Sequence, residues 1–125
     1  VQDRIRWLGF LEGEALKDCY RQSDVFILPT REDCYGLVIL EAMCASLPVI
    51  ASKYADGAFD LMEDGVHGYI VDPYDTKQLA ETIDTIFSDT DRLKKMQHDC
   101  YERAGEFAIP RVAEPFYEAL DAVTR

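Results

Sequence analysis

Two carboxylates, Asp33 and Glu41, stand eight residues apart in the stretch EDCYGLVILEAMCA, with Gly36 between them. Carboxylates so placed can accept hydrogen bonds from a ligand's hydroxyl groups or move protons. A glycine at a helix start allows close backbone approach, and the free N–H groups of Gly36, Leu37 and Val38 would form an anion site. Such a site is worth about 0.3–1 kcal/mol per charge where exposed and more where buried. The helix GLVILEAMCA carries only one charged or strongly polar side chain, Glu41. At about 100° per residue, Leu37, Val38 and Ala45 surround it, so no polar face exists for it. A helix apolar all round is expected to be buried. Glu41 is therefore expected to be buried too, and to need a partner, either a ligand's hydroxyl groups or a lysine or arginine of the chain. Side chains tilt toward the helix N-terminus, so Glu41 points back toward Gly36.

Other reactive types are scattered. Cys19, Cys34, Cys44 and Cys100 form no C-x-x-C pair, and His67 and His98 stand alone. No metal-site spacing is present, and the thiols are expected to be reduced, since a chain of this length manages without staples. Cys34 has no histidine near it in sequence, and burial beside an acidic loop is expected to raise its pKa. No nucleophile-and-base pair emerges.

The elements that must position Asp33 and Glu41 alternate. Residues 5–9 (IRWLG), the apolar run VFIL at 25–28, PVIAS at 48–52 and HGYIV at 67–71 read as four strands. Amphipathic stretches separate them: ALKDCYRQ, a helix over 36–45, and a short turn of helix over 58–62. From Thr76 the pattern is helical, with Asp75 or Thr76 as cap, then segments over 91–107 and 111–124 separated by Pro110. Runs apolar on both faces, joined by crossover helices, mean a parallel sheet. The expected fold is a doubly wound, Rossmann-like α/β sheet of about four strands with C-terminal helices, a single domain over 1–125. Ligands of such sheets sit beyond the carboxyl ends of the strands. That rule selects GFLEGE, PTREDCYG and SKYADGA.

Composition narrows the ligand. The chain's 125 residues hold 24 acidic and 13 basic side chains, a formal net charge of −11. Nucleic acid and anionic membrane are therefore not expected partners, and any phosphate must be held locally. Hydrophobic content of 48% argues against disorder. No apolar run approaches the roughly 20 residues of a membrane span. The opening VQDRIRWLGF lacks the plan of a signal peptide, and the expected location is cytoplasmic.

The run EDCYGLVILEAMCASLPVIAS resembles the signature of the retaining nucleotide-sugar glycosyltransferases with twin Rossmann domains, the group-one or glycogen-synthase-like superfamily. That signature, in their C-terminal domain, is E-x-F-G-L-x-x-x-E-A-M-A-x-G-x-P-V-I-A. IRWLGFL, Y-x-x-S-D-V-F-I-L-P-T and EDGVHGYIVDPYD agree in order, from Ile5 to about Phe107. The resemblance implies a donor-binding part of an enzyme that moves a sugar from a nucleoside diphosphate (UDP, GDP or ADP) to an acceptor. No cofactor is implied beyond that donor. Glu41 would hold the ribose hydroxyls, the Gly36, Leu37 and Val38 amides the diphosphate, and backbone at Gly9, Phe10 and Leu11 the nucleobase. Tyr35 joins these substrate-binding residues. Asp33 would be the catalytic carboxylate that contacts the donor sugar on the leaving-group side.

The sequence departs from the signature in places. Asp33 is one methylene shorter than the family's glutamate, and Glu32 lies one residue out of register. Ser46 replaces a glycine at the helix end, where a left-handed turn costs about 1 kcal/mol. ADGAFDL matches only loosely a glycine pair before an acid, at Asp60. The family's N-terminal acceptor domain and the arginine and lysine for the leaving diphosphate do not precede Val1, so the chain is expected to be a partial domain, inactive alone. Arg31 and Lys53 lie near the crevice but match neither position. An open sheet edge would favour a two-fold homodimer. A different class, a receiver-like signalling module, would need an aspartate directly at a strand end, where Leu28 is followed by Pro29 and Thr30. Lys53 could imitate its lysine.

Overall fold

Three short apolar runs pair into one parallel sheet in a computed structural model that describes residues 2–124. They are β1 (Phe26–Leu28), β2 (Val49–Ser52) and β3 (Gly68–Val71), in the order β1-β2-β3. Ile27 lies opposite Ile50, and Ile50 opposite Tyr69. All four residues of β2 are buried, as a central strand covered on both faces requires.

Helices supply the cover. Val49 and Ala51 face α2 (Leu37–Cys44), α3 (Gly57–Leu61) and α5 (Thr90–Glu106), through Ile39, Met43, Leu61 and Cys100. Ile50 and Val71 face the other way, onto Leu79, Ile83 and Ile86 of α4 (Thr76–Phe87). Helices on both faces of a parallel sheet are the doubly wound arrangement expected from the alternation. Asp75 caps α4 by accepting the Gln78 N–H at 2.9 Å, as its position before the helical pattern suggested. α1 (Gly13–Arg21) precedes β1, and α6 (Ile109–Thr124) ends the chain. Pro110 falls in the first turn of α6, where its missing N–H leaves no bond unmade.

One expected strand does not form. Residues 5–9 are unpaired, following a single 3-10 turn at Gln2–Arg4 that the Ile5 N–H closes onto Gln2 O at 3.1 Å. The run IRWLG has a strand's alternation, but alternation supplies no partner ladder, and Trp7 stays 92% exposed. The sheet therefore has three strands among the described residues. The outer edges of β1 and β3 are unpaired among the described residues.

α2 ends in a Schellman motif. Ser46 has φ 62°, its N–H donates to Met43 O at 2.9 Å, and the Leu47 N–H donates to Ala42 O at 3.0 Å. A residue with a Cβ is strained there, so Ser46→Gly is expected to raise unfolding free energy by about 1 kcal/mol. Urea denaturation reads the change, and a lower midpoint would contradict it.

Below the sheet, the buried His67 accepts the Glu63 N–H on Nδ1 at 2.9 Å. Burial first, then the nearby Arg103 charge, lowers its pKa from the ordinary 6.5. The unfolded chain thus binds this proton more readily than the folded one. His67 contributes stability that is full above 6.5 and lost as pH falls through the folded value. Thermal midpoints measured from about pH 7 to pH 5 should drop more steeply for the wild type than for His67→Gln. Parallel slopes would refute the assignment.

Candidate functional site

The loop from Thr30 to Gly36 leaves β1 at its carboxyl end and folds onto the loop after β2. The Asp33 N–H donates to Tyr54 O at 3.1 Å, and the Asp56 N–H to Asp33 O at 3.4 Å, forming one isolated parallel bridge, Asp33 with Ala55. Asp33 is half-buried, and its Oδ1 accepts the Tyr35 N–H at 3.0 Å. Such an Asx turn consumes one carboxylate oxygen and leaves Oδ2 for another partner.

Gly57 shapes the same loop. A Cβ there would sit 2.0 Å from Tyr35 O, so only glycine lets α3 begin against this turn. Sequence reasoning missed Gly57. The signal was the glycine in ADGAFDL, which was read for its acid instead.

Gly36 caps α2 with φ 75° and ψ 53°, a left-handed conformation that glycine adopts without strain. The Ile39 N–H bonds Gly36 O at 2.9 Å, which leaves the Gly36, Leu37 and Val38 N–H groups ahead of the first helical bond. Leu37 is 63% exposed and Val38 half-buried, while Gly36 itself is buried, so the helix start opens to solvent on the Leu37 side.

Glu41, one turn further on, is exposed and not buried as the helix pattern implied. The arc of α2 bearing Leu37, Glu41 and Cys44 is uncovered, while Ile39, Ala42 and Met43 fill the core. An apolar helix surface signals that covering it is favourable, but not that the chain itself covers it. Cys34 is likewise exposed, contrary to the burial expected for it.

The Tyr20 hydroxyl donates to Glu41 Oε2 at 3.1 Å, leaving Oε1 open. Burial, then the bond and charge of Glu41, push the Tyr20 pKa up to about 12, so it remains a donor near neutral pH. Its ring packs on Phe26 with centroids 5.8 Å apart, which fixes the hydroxyl. Tyr20 and Glu41 share a cleft of ≈ 630 Å³ with Gly13, Lys17, Arg21, Cys44 and Ser46. Lys17 pairs with Glu14 at 2.6 Å and Arg21 with Asp18 at 2.9 Å. Among the described residues no cation lies within 4.0 Å of Glu41, which removes the ion-pair alternative for its partner.

The structure places the remaining site residues apart from that cleft. Leu11 lines a separate hollow of ≈ 370 Å³ with Leu8, Asp18 and Cys19. Gly9 has φ 68°, Phe10 is 89% exposed, and it is Gly13 that reaches the Glu41 cleft. A further cleft of ≈ 680 Å³ between α3 and α5 holds none of the residues selected from the sequence except Asp60. There Arg103 donates to Asp60 O and Leu61 O, clamping α5 onto the end of α3. Lys53, after β2, pairs with Asp72 directly after β3, 2.7 Å from its Oδ2, so the lysine comes before the strand-end aspartate in the chain and not after a later strand, as a receiver-like module needs.

A parallel sheet covered on both faces, with its glycine-bearing loop and carboxylates at the carboxyl end of β1, defines a Rossmann-like domain. The family model for glycosyl transferases group 1 matches residues 1–107, and the chain belongs to that family. It is 31% identical over 121 residues to a sucrose synthase of Melioribacter roseus, covering 93% of this chain and 15% of that protein. A D-inositol 3-phosphate glycosyltransferase of Thermobispora bispora is 32% identical over 129 residues, covering all of this chain and 30% of the other. Among solved structures, Anabaena Alr3699/HepE in complex with UDP superposes with a TM-score of 0.84 at 28% identity, over 97% of this chain and 33% of that one. The C-terminal domain of a group 1 family protein, LpcC, from Francisella tularensis gives 0.70 at 29% identity, over 78% and 50%. The chain thus spans between about a seventh and a third of the two relatives' length. Among the described residues, no helix is long and apolar enough to cross a membrane.

Proposed function

We propose that this chain is the donor-binding part of a glycosyltransferase that transfers a sugar from a nucleoside diphosphate to an acceptor with retention of configuration. The observation that carries the reading is Glu41, exposed on the outer arc of α2, with Oε1 unoccupied, one turn after the helix start at Gly36. A nucleotide laid along that arc sets its ribose hydroxyls against Glu41. Its diphosphate meets the Gly36, Leu37 and Val38 N–H groups, where the helix dipole favours negative charge. The sugar then lies toward Asp33, whose Oδ2 is free to contact it. The departing diphosphate is stabilised electrostatically, with no protein nucleophile on the path. Complexes of Alr3699/HepE with UDP and with UDP-glucose, at TM-scores of 0.84 and 0.81, support a donor of this class.

Calorimetric titration of the 125-residue chain with UDP, GDP and ADP tests the reading. One of the three is expected to bind, and transfer from the matching nucleotide sugar is expected to be absent without the groups that an acceptor-bearing domain gathers around the bond. No binding of any of the three would end the donor-binding reading. Turnover by this chain alone would end the claim that transfer needs a further domain.

A further inference from the structure

Beyond the Glu41 cleft, four side chains from three loops meet at the carboxyl end of the sheet. The Arg31 guanidinium lies over the Tyr74 ring, 5.5 Å from its centroid. Tyr74 meets Tyr54 edge to face at 5.9 Å, and the Lys53 ammonium lies 5.1 Å from the Tyr54 centroid. Arg31 follows β1, Lys53 and Tyr54 follow β2, and Tyr74 follows β3. The group is braced. Asp72 Oδ1 accepts the Tyr74 N–H at 2.9 Å, and Oδ2 binds Lys53 at 2.7 Å, so both oxygens are used and the lysine charge is balanced. That leaves Arg31 as the uncompensated cation, with no carboxylate within 4.0 Å among the described residues.

A cation–π contact takes up none of an arginine's N–H donors, and its planar fork matches the two oxygens of a carboxylate or phosphate. Tyr54 and Tyr74 are 38% and 61% exposed and offer apolar surface to a sugar ring. The Asp33 N–H, donating to Tyr54 O at 3.1 Å, ties this cluster to the loop that carries Asp33. An anion held by Arg31 would therefore belong to a molecule lying beside Asp33, on the β2 and β3 side of the crevice and away from Glu41.

We propose that Arg31, seated on the Tyr74 ring, binds an oxyanion carried by a sugar that enters the crevice beside Asp33. The proposal rests on the donor-binding reading, which brings a sugar to Asp33. The oxyanion is a phosphate or a carboxylate, and the two are distinguished by the test. Lys53 and Asp72 are positioning residues that hold the tyrosines.

The test is a set of nuclear magnetic resonance titrations of the 125-residue chain with a hexose phosphate, a hexuronate, the unmodified hexose, inorganic phosphate and UDP. Either the hexose phosphate or the hexuronate is expected to shift the Arg31, Tyr54 and Tyr74 amide signals, more tightly than inorganic phosphate does and with no response to the neutral hexose. Arg31→Gln should weaken that response by about 5-fold or more, and Arg31→Lys by less, because the lysine keeps charge but loses the fork. UDP affinity should be the same in all three proteins, which also reports that each is folded. Absence of both anionic responses, equal affinity for inorganic phosphate or the neutral hexose, or an Arg31→Gln response equal to wild type would overturn the proposal. Those outcomes leave the donor-binding reading in place if UDP still binds. An intact anion response with no UDP binding would instead overturn the donor-binding reading and, with it, the assignment of the anion to a sugar substrate.

Discussion

Gly68→Ala is expected to lower unfolding free energy by about 4 kcal/mol or more, close to the whole margin of many domains of this size. Gly68 opens β3 directly opposite Val49 of β2, with φ 134°. An added Cβ would lie 1.9 Å from Val49 O and 2.6 Å from Val49 N. Both are backbone atoms of the buried central strand, and the Val49 N–H is committed to His67 O at 3.0 Å. Neither strand can yield without breaking the ladder that aligns Ala51 with Ile70 and Ser52 with Val71. Gly65→Ala is the matched control. Its φ is 82°, yet nothing lies within 4 Å of a Cβ there, so only the left-handed penalty of about 1–2 kcal/mol applies. Urea unfolding of both variants separates conformational strain from collision. If the two lose the same stability, the close approach of β3 to Val49 does not limit the fold.

Collision at Gly68 shows what a linear reading leaves out. HGYIV announces a strand through its apolar residues, and nothing in those letters says that the glycine is where two backbones touch. Gly57 is the same case against the Tyr35 carbonyl. The sheet itself was legible because VFIL and PVIAS are short, continuous apolar runs, although only β2 is covered on both faces and Ile27 of β1 stays partly exposed. Residues 5–9 were misread for a complementary reason. Alternation describes a side-chain pattern, whereas a strand exists only beside another strand, and β1 has none on that side among the described residues. At the candidate site, Asp33, Gly36 and Glu41 were singled out from residue type and spacing. The exposure of Glu41 was not, because an apolar helix pattern does not distinguish a core face from an uncovered one. Tyr20 escaped notice since its partnership with Glu41 joins positions 21 residues apart.

Glu41→Gln is expected to weaken nucleotide binding by about 1–3 kcal/mol, a factor of roughly 5 to 150 in Kd. The substitution keeps the length of the side chain and one carbonyl oxygen, so the Tyr20 hydroxyl retains an acceptor. What it removes is the charge that strengthens bonds from two ribose hydroxyls, and it places an amide donor where the free Oε1 stood. Stability should change by no more than about 0.5 kcal/mol, since Glu41 is exposed and no cation is left unpaired by its loss. That expectation separates the ligand role from a structural one. A buried ion-pair member would strand its partner and cost about 3–5 kcal/mol. Tyr20→Phe refines the same test. Removing the hydroxyl frees Oε2 but leaves the charge, so its effect on affinity should be smaller than that of Glu41→Gln, about 1 kcal/mol or less. Calorimetry with the nucleotide that binds the wild type, together with urea unfolding of each variant, reads both quantities. Unaltered affinity in a folded Glu41→Gln protein would remove Glu41 from the ribose site, and the nucleotide would then have to be held by α2 through its N-terminal amides alone.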